Sequence, residues 1–132
     1  MSPRSLAGGC HCGRIRYGVE MDLSAPTLRC NCSICAKSRA WISVVPAIAF
    51  QLLAGENELG TYTFGARHVA HHFCPNCGVK THGTSMMQGA DAWVAVCVAT
   101  LDLAPLELAS LQIEYRDGRA NLETPPAITV HL

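Results

Sequence analysis

Charge is scarce in this chain. Only 15% of the 132 residues are Asp, Glu, Lys or Arg, and ten acidic residues balance ten basic ones. With no basic excess, neither nucleic acid nor an anionic membrane is an expected partner. Long hydrophobic runs are missing too. The most apolar stretch, residues 40–54, is broken by Ser43, Pro46 and Gln51 and falls short of the ~20 residues a spanning helix needs. Residues 1–9 contain Pro3 and Arg4 and no apolar core of a signal peptide, so a reducing cytoplasm is the expected compartment. There is no phosphate loop, no His-Glu-x-x-His motif and no paired nucleophile and base. Repeats and linkers are absent, and the length suits a single domain over residues 1–132. The low charge also leaves apolar surface that a second subunit could cover, which is compatible with a homo-oligomer.

Cysteine, by contrast, is abundant, and seven of the eight fall into tight clusters: Cys10-x-Cys12, Cys30-x-Cys32-x-x-Cys35 and Cys74-x-x-Cys77. In a reducing compartment such clusters indicate metal before disulfides. A redox Cys-x-x-Cys opens a helix, whereas Cys74-Pro75-Asn76-Cys77-Gly78 follows a strand-like run and ends in a glycine turn. Cys10 and Cys12 share one face of an extended segment, and Gly8, Gly9 and Gly13 allow a tight path around them. Gly78 permits the left-handed turn of a zinc knuckle. Joined, the two outer pairs supply four thiolates, a closed tetrahedron. A structural zinc is therefore expected at Cys10, Cys12, Cys74 and Cys77.

The middle triplet counts differently. Cys30, Cys32 and Cys35 offer only three thiolates, so a zinc there keeps a free corner for water or an incoming thiol, as catalytic zinc does. A thiol with a free pKa of about 8.5 is mostly protonated at neutral pH, but on zinc it is a thiolate. Two Zn²⁺ per chain are expected, one for folding and one for chemistry. Cys35 falls in the first turn of a short helix, capped by Ser33 and running to about Arg39, whose amides should favour its thiolate. Arg29, Lys37 or Arg39 would offset the negative charge of the site. The remaining cysteine, Cys97, sits in the apolar run Trp93–Ala99 and reads as core; as a fourth ligand it would close the second site. His71 and His72, adjacent on a strand, point to opposite faces, one buried and hydrogen-bonded and the other exposed. His68, His71 or His82 could approach the open zinc, and His11 reads as a surface residue.

Strand-like runs dominate the rest. Arg14–Glu20 alternates Ile15, Tyr17 and Val19 with polar or small residues. Further strands are expected at residues 42–45, 49–53, 60–64, 69–73, 79–83 and 92–99, with a hairpin turning at Arg116-Asp117-Gly118-Arg119 between 111–115 and 120–122. The expected class is mostly β, antiparallel, with one or two short helical turns.

Gly9-Cys10-His11-Cys12-Gly13-x-x-x-Tyr17, Cys30-x-Cys32-x-x-Cys35, Phe73-Cys74-Pro75-x-Cys77-Gly78 and Thr100-Leu101-Asp102 closely resemble the glutathione-dependent formaldehyde-activating enzyme family, also called the centromere protein V family. The match spans about residues 8–102. The resemblance implies a β-tent fold with two zinc sites: a structural one at Cys10, Cys12, Cys74 and Cys77, and a catalytic one at Cys30, Cys32 and Cys35. It implies a carbon–sulfur lyase or synthase acting on a glutathione-type thiol adduct, such as S-(hydroxymethyl)glutathione formed from glutathione and formaldehyde. A rival expectation is a non-catalytic, zinc-stabilised protein-binding module, since related β-tent proteins bind other proteins. Two departures bear on specificity: Cys97 stands where many members carry a polar residue, and the tail after Asp102 lacks the family's aromatic-rich closing segment. Lys37, Arg39, Arg67 and His68 are candidates to meet the substrate carboxylates, and no spacing selects among them.

Overall fold

In the computed structural model, which describes residues 3–132 with Met1 and Ser2 outside, alternation in β2 (Arg16–Met21) puts Tyr17, Val19 and Met21 on one face. All three are at most 4% exposed. β2 is the middle strand of a three-stranded antiparallel sheet, between β1 (Arg4–Gly9) and the later strand Phe50–Ala54. Seven other strands form the second sheet. In chain order they are β3 (Thr27–Cys30), β4 (Ile42–Pro46), then, after β5 (Phe50–Ala54), β6 (Gly60–Tyr62), β7 (Val69–Phe73), β8 (Lys80–Ser85), β9 (Trp93–Cys97) and β10 (Ile113–Arg116). Their spatial order is β10-β3-β4-β9-β8-β7-β6.

The two sheets share one core. Tyr17, Val19 and Met21 of the small sheet pack with Val45 of β4 and with Val94 and Val96 of β9; Val98, Leu101 and Leu111 complete the cluster. Burying such side chains is what holds the layers together, at roughly 1.5–3 kcal/mol each. Because side chains alternate, the neighbours of these residues, Val44 and Ala95, face the other side of the seven-stranded sheet. That second face carries a cavity lined by Val44, Ala95 and the cysteines Cys30, Cys32 and Cys35. Between the sheets His82, 2% exposed, lies 4.6 Å from Phe50 and 4.8 Å from His72, ring to ring.

The mostly β class is as expected, with corrections. β1, β3 and a one-turn helix, α2 (Pro105–Ala109), were not anticipated. The expected hairpin at residues 116–119 is not there: β10 pairs parallel to β3, and residues 118–120 form a short 3₁₀ turn rather than a returning strand. A parallel partner distant in sequence leaves no local turn signal. Helix α1 (Ser33–Ser38) forms, but Cys32 occupies the cap position and Ser33 is already helical.

Burial pushes His82 down to about 3, with repulsion from His72 and then Lys80 adding to it. In the unfolded chain it titrates near ~6.5. Between those values the unfolded chain binds a proton that the fold refuses, so stability falls as pH drops through this window. From pH 6.5 to 5 the loss assigned to His82 is about 2 kcal/mol. Urea midpoints at pH 7 and pH 5, with zinc in excess, should therefore drop less in His82→Gln than in the wild type. An equal drop in both would remove His82 from the acid response.

Candidate metal centres and the cavity beside them

Two hairpin-like knuckles build the first centre. The Cys10 amide donates to the Ile15 carbonyl at 3.0 Å, and the Cys74 amide to the Val79 carbonyl at 3.0 Å. Each knuckle turns on a left-handed glycine directly after its second cysteine, Gly13 at φ +86° and Gly78 at φ +79°. The Ile15 amide also points at Cys10 Sγ, 3.3 Å away. The knuckles face each other so that the four sulfurs of Cys10, Cys12, Cys74 and Cys77 lie within 4.8 Å of one another. Cys10–Cys12 and Cys12–Cys74 measure 3.7 and 3.6 Å. Sulfurs about 2.3 Å from a tetrahedral ion would sit about 3.8 Å apart. The donor set and its spacing fit zinc.

Cys30, at the end of β3, with Cys32 and Cys35 at the start of α1, makes the second group, again with all sulfurs within 4.8 Å. Among the described residues no other Cys, His, Asp or Glu joins it. The Cys32 amide donates to Cys30 Sγ at 3.4 Å. Hydrogen bonding from Cys35 lowers the Cys32 thiol to about 5, against burial. Cys35 moves the other way, raised first by its bond to Cys32 and then by burial. One proton leaves this group readily and the last does not. Three thiolates coexist only against a cation, which suits a divalent metal.

These three cysteines sit in the wall of a cavity of about 570 Å³ on the exposed face of the seven-stranded sheet. Its cationic groups are Arg67, Lys80 and Arg116, with His68 and His71 beside them, and no carboxylate lines it. Lys80 Nζ donates to His71 Nδ1 at 2.7 Å. Burial, then Lys80, then His72 push His71 down to about 4, so it is neutral near pH 7 and can accept that bond. Lys80 was missed in the sequence because it lies on another strand, yet its charge reaches both Cys35 and Cys97. The residues expected to play that part do not: Arg29 stacks over Trp41 at 5.1 Å, and neither Lys37 nor Arg39 lines the cavity. Arg67 and His68 do.

Cys97 is only partly buried, pairs with Ile42 in β4, and does not join the triplet; burial pushes its thiol up to about 11. His72 lies on the side opposite His71, as expected, with its ring nitrogens 3.0 Å from Thr61 Oγ1 and 2.9 Å from Thr84 Oγ1. Both are half-buried, so neither is the exposed member of the pair. His11 is exposed.

A family model described as glutathione-dependent formaldehyde-activating enzyme matches residues 5–115. The chain belongs to this family. A crystal structure of a Rhodobacter sphaeroides protein, determined as a structural genomics target, is similar to it with a TM-score of 0.68 and 30% sequence identity. The similarity covers 81% of this chain and 98% of that one. Membership of the glutathione-dependent formaldehyde-activating family carries glutathione and formaldehyde as the expected reactants, and the matched span holds both cysteine groups.

Just beyond the matched residues the chain closes over the second group. Asn31 donates through Nδ2 to Asp117 Oδ1 at 2.9 Å and accepts from the Arg119 amide at 2.9 Å, which pins the loop after β10 to the triplet. Gly118 lies against it: a Cβ there would collide with Cys30 Sγ and stand 3.0 Å from Cys32 Cβ. We expect Gly118→Ala to displace Cys30 and halve the zinc content from about two ions to about one while the first knuckle pair keeps the fold. Elemental analysis with a thermal melt checks this; two retained zincs would mean the loop yields instead. Among the described residues, no helix is long and apolar enough to cross a membrane.

Proposed function

We propose that the protein is a zinc-dependent carbon–sulfur lyase or synthase acting on a glutathione-type thiol adduct, with two Zn²⁺ per chain. Cys10, Cys12, Cys74 and Cys77 hold the structural ion, and Cys30, Cys32 and Cys35 the catalytic one. The observation that carries this reading is a three-sulfur group with no fourth protein donor among the described residues, opening into a cavity whose charged groups are all basic. Zinc held by three thiolates supplies a Lewis-acidic centre that keeps a bound thiol deprotonated.

The chain's own residues do the rest. Arg67, Lys80 and Arg116 draw the carboxylates of the thiol into the cavity and offset the charge of the cysteines. Neutral His71, held by Lys80, stands where it can exchange a proton with the oxygen of the adduct. The Asn31–Asp117 clasp keeps the cysteine loop at a fixed height in the wall. In the forward direction the sulfur forms a bond to the carbonyl carbon, the C=O electron pair moves to oxygen, and the proton given up by the thiol ends there. The reverse returns thiol and aldehyde.

Thiols add to formaldehyde unaided, so the test is acceleration. Exchange spectroscopy by NMR on an equilibrium mixture of glutathione, formaldehyde and adduct should show faster interconversion in proportion to added zinc-loaded protein. An exchange rate that stays at the protein-free value, for this adduct and for adducts of other aldehydes, would sink the assignment.

A further inference from the structure

Glutathione is polar along its whole length, and formaldehyde adds one hydroxymethyl group, two heavy atoms of about the volume of two waters or ~60 Å³. The cavity has room for the thiol, but its lining is more apolar than that pair needs. Its volume of about 570 Å³ lies in the range of roughly 300–1,000 Å³ typical of drug-sized ligands. Its charged groups are Arg67, Lys80 and Arg116, while Ile42, Val44, Phe64 and Trp93 form an apolar wall larger than the few methylenes of glutathione need.

The floor shows how the space arises. Strand register aligns Val44 of β4 with Ala95 of β9, Ala95 with Gly83 of β8, and Gly83 with His71 of β7. The two central positions of this row carry the smallest side chains available, so the floor is recessed between taller walls. Gly83 is not a turn residue and its φ lies in the ordinary strand region. A Cβ there would come 3.3 Å from Val69 Cγ1, so glycine lets Val69 of β7 pack down close to β8, and Ala95 beside it keeps the floor low. On the rim, Val44 and Phe64 are 54% and 41% exposed although they border the recess. Large apolar side chains left in water beside a cavity mark ligand contact.

We infer that the carbonyl partner carries an apolar chain or ring, so that the adduct handled here is a hemithioacetal between an anionic thiol and an aldehyde larger than formaldehyde. This rests on the reading of the site as a thiol–carbonyl lyase or synthase. The bond changes are those already given: sulfur joins the aldehyde carbon, the carbonyl oxygen takes the thiol proton, and no atom or electron is left over. The cationic groups bind the carboxylates of the thiol, and the apolar wall takes the aldehyde's hydrocarbon part. Ala95 is the position that sets its size.

Binding separates this inference from the enzyme reading. S-methyl-, S-butyl- and S-hexylglutathione are inert thioethers that mimic adducts of growing chain length, and their affinity for the zinc-loaded protein is measurable by calorimetry. We expect Kd to tighten about two- to fourfold per added methylene, the gain from burying each CH₂ wholly or in part. Ala95→Phe, which fills the recess, should flatten the series. Val44→Ser, on the solvent side of the wall, should reduce its slope and serves if the first variant folds poorly. The kcat/KM ratio of the hexanal adduct to the formaldehyde adduct should exceed one in the wild type and fall in both variants. Affinity independent of chain length would overturn the inference, whatever the turnover. A chain-length dependence that persists with no turnover of any adduct would keep the apolar ligand class and overturn the lyase reading alone.

Discussion

Cys74→Ser should leave the chain unable to fold. Cys74 is fully buried and packs with Cys10 and Ile15, against Leu52, Leu59 and Val79. This cluster is separate from the main core, and the sulfurs are its centre. Structural zinc contributes roughly 10–16 kcal/mol in small metal-folded peptides, against about 5–15 kcal/mol for the stability of a whole domain. Losing one of four thiolates, and placing a hydroxyl where a sulfur was buried, removes enough of that to exceed the margin. The amide resonances of the variant should collapse to the narrow dispersion of an unfolded chain. Stripping the proposed zinc ions from the wild type with a strong chelator should do the same, and zinc should reverse it. A well-dispersed, cooperative Cys74→Ser protein would show that the sheets hold the fold without this centre.

Cys32→Ala should have the opposite profile. Helix α1 contributes no fully buried residue, and the triplet lies in a cavity wall rather than in either core cluster. The fold should survive with a melting temperature within a few degrees of wild type, a shift of under about 1 kcal/mol. Zinc content should fall by one ion. Turnover of the thiol adduct should drop about 10³-fold or to the uncatalysed rate, because several kcal/mol of charge stabilisation at the sulfur is lost with the ion. The contrast with Cys74→Ser is the informative part. If both variants unfold, both centres are structural and the zinc-stapled binding module becomes the better reading. If Cys32→Ala keeps full turnover, the chemistry lies elsewhere.

What was legible beforehand was local. Cysteine spacing announced two groups of four and three, because knuckle geometry is set within six residues by a glycine and a turn; Gly13 and Gly78 adopt the left-handed conformation those knuckles require. Period-two alternation marked the strand carrying Tyr17 and Val19 for the same reason. The misses share a cause. β3 is short and its partner β10 is parallel and more than eighty residues away, so neither hydrophobic pattern nor turn residues could announce it. Ser is a common helix cap, yet the cysteine loop places Cys32 at that position and Ser33 inside the helix.

Identity and spacing alone thus determined the three cysteine clusters, since a cluster within a few residues is held together by the chain itself. Only the tertiary structure decided what surrounds them. The two outer pairs meet because β1, β2 and β7 bring residues 10 and 74 together. Lys80, Arg116 and Gly118 reach the triplet from other strands and loops. Ala95 and Gly83 shape the cavity because register aligns them in the middle of the sheet. Such contacts depend on how layers pack, a sum over many weak burials that no short motif encodes.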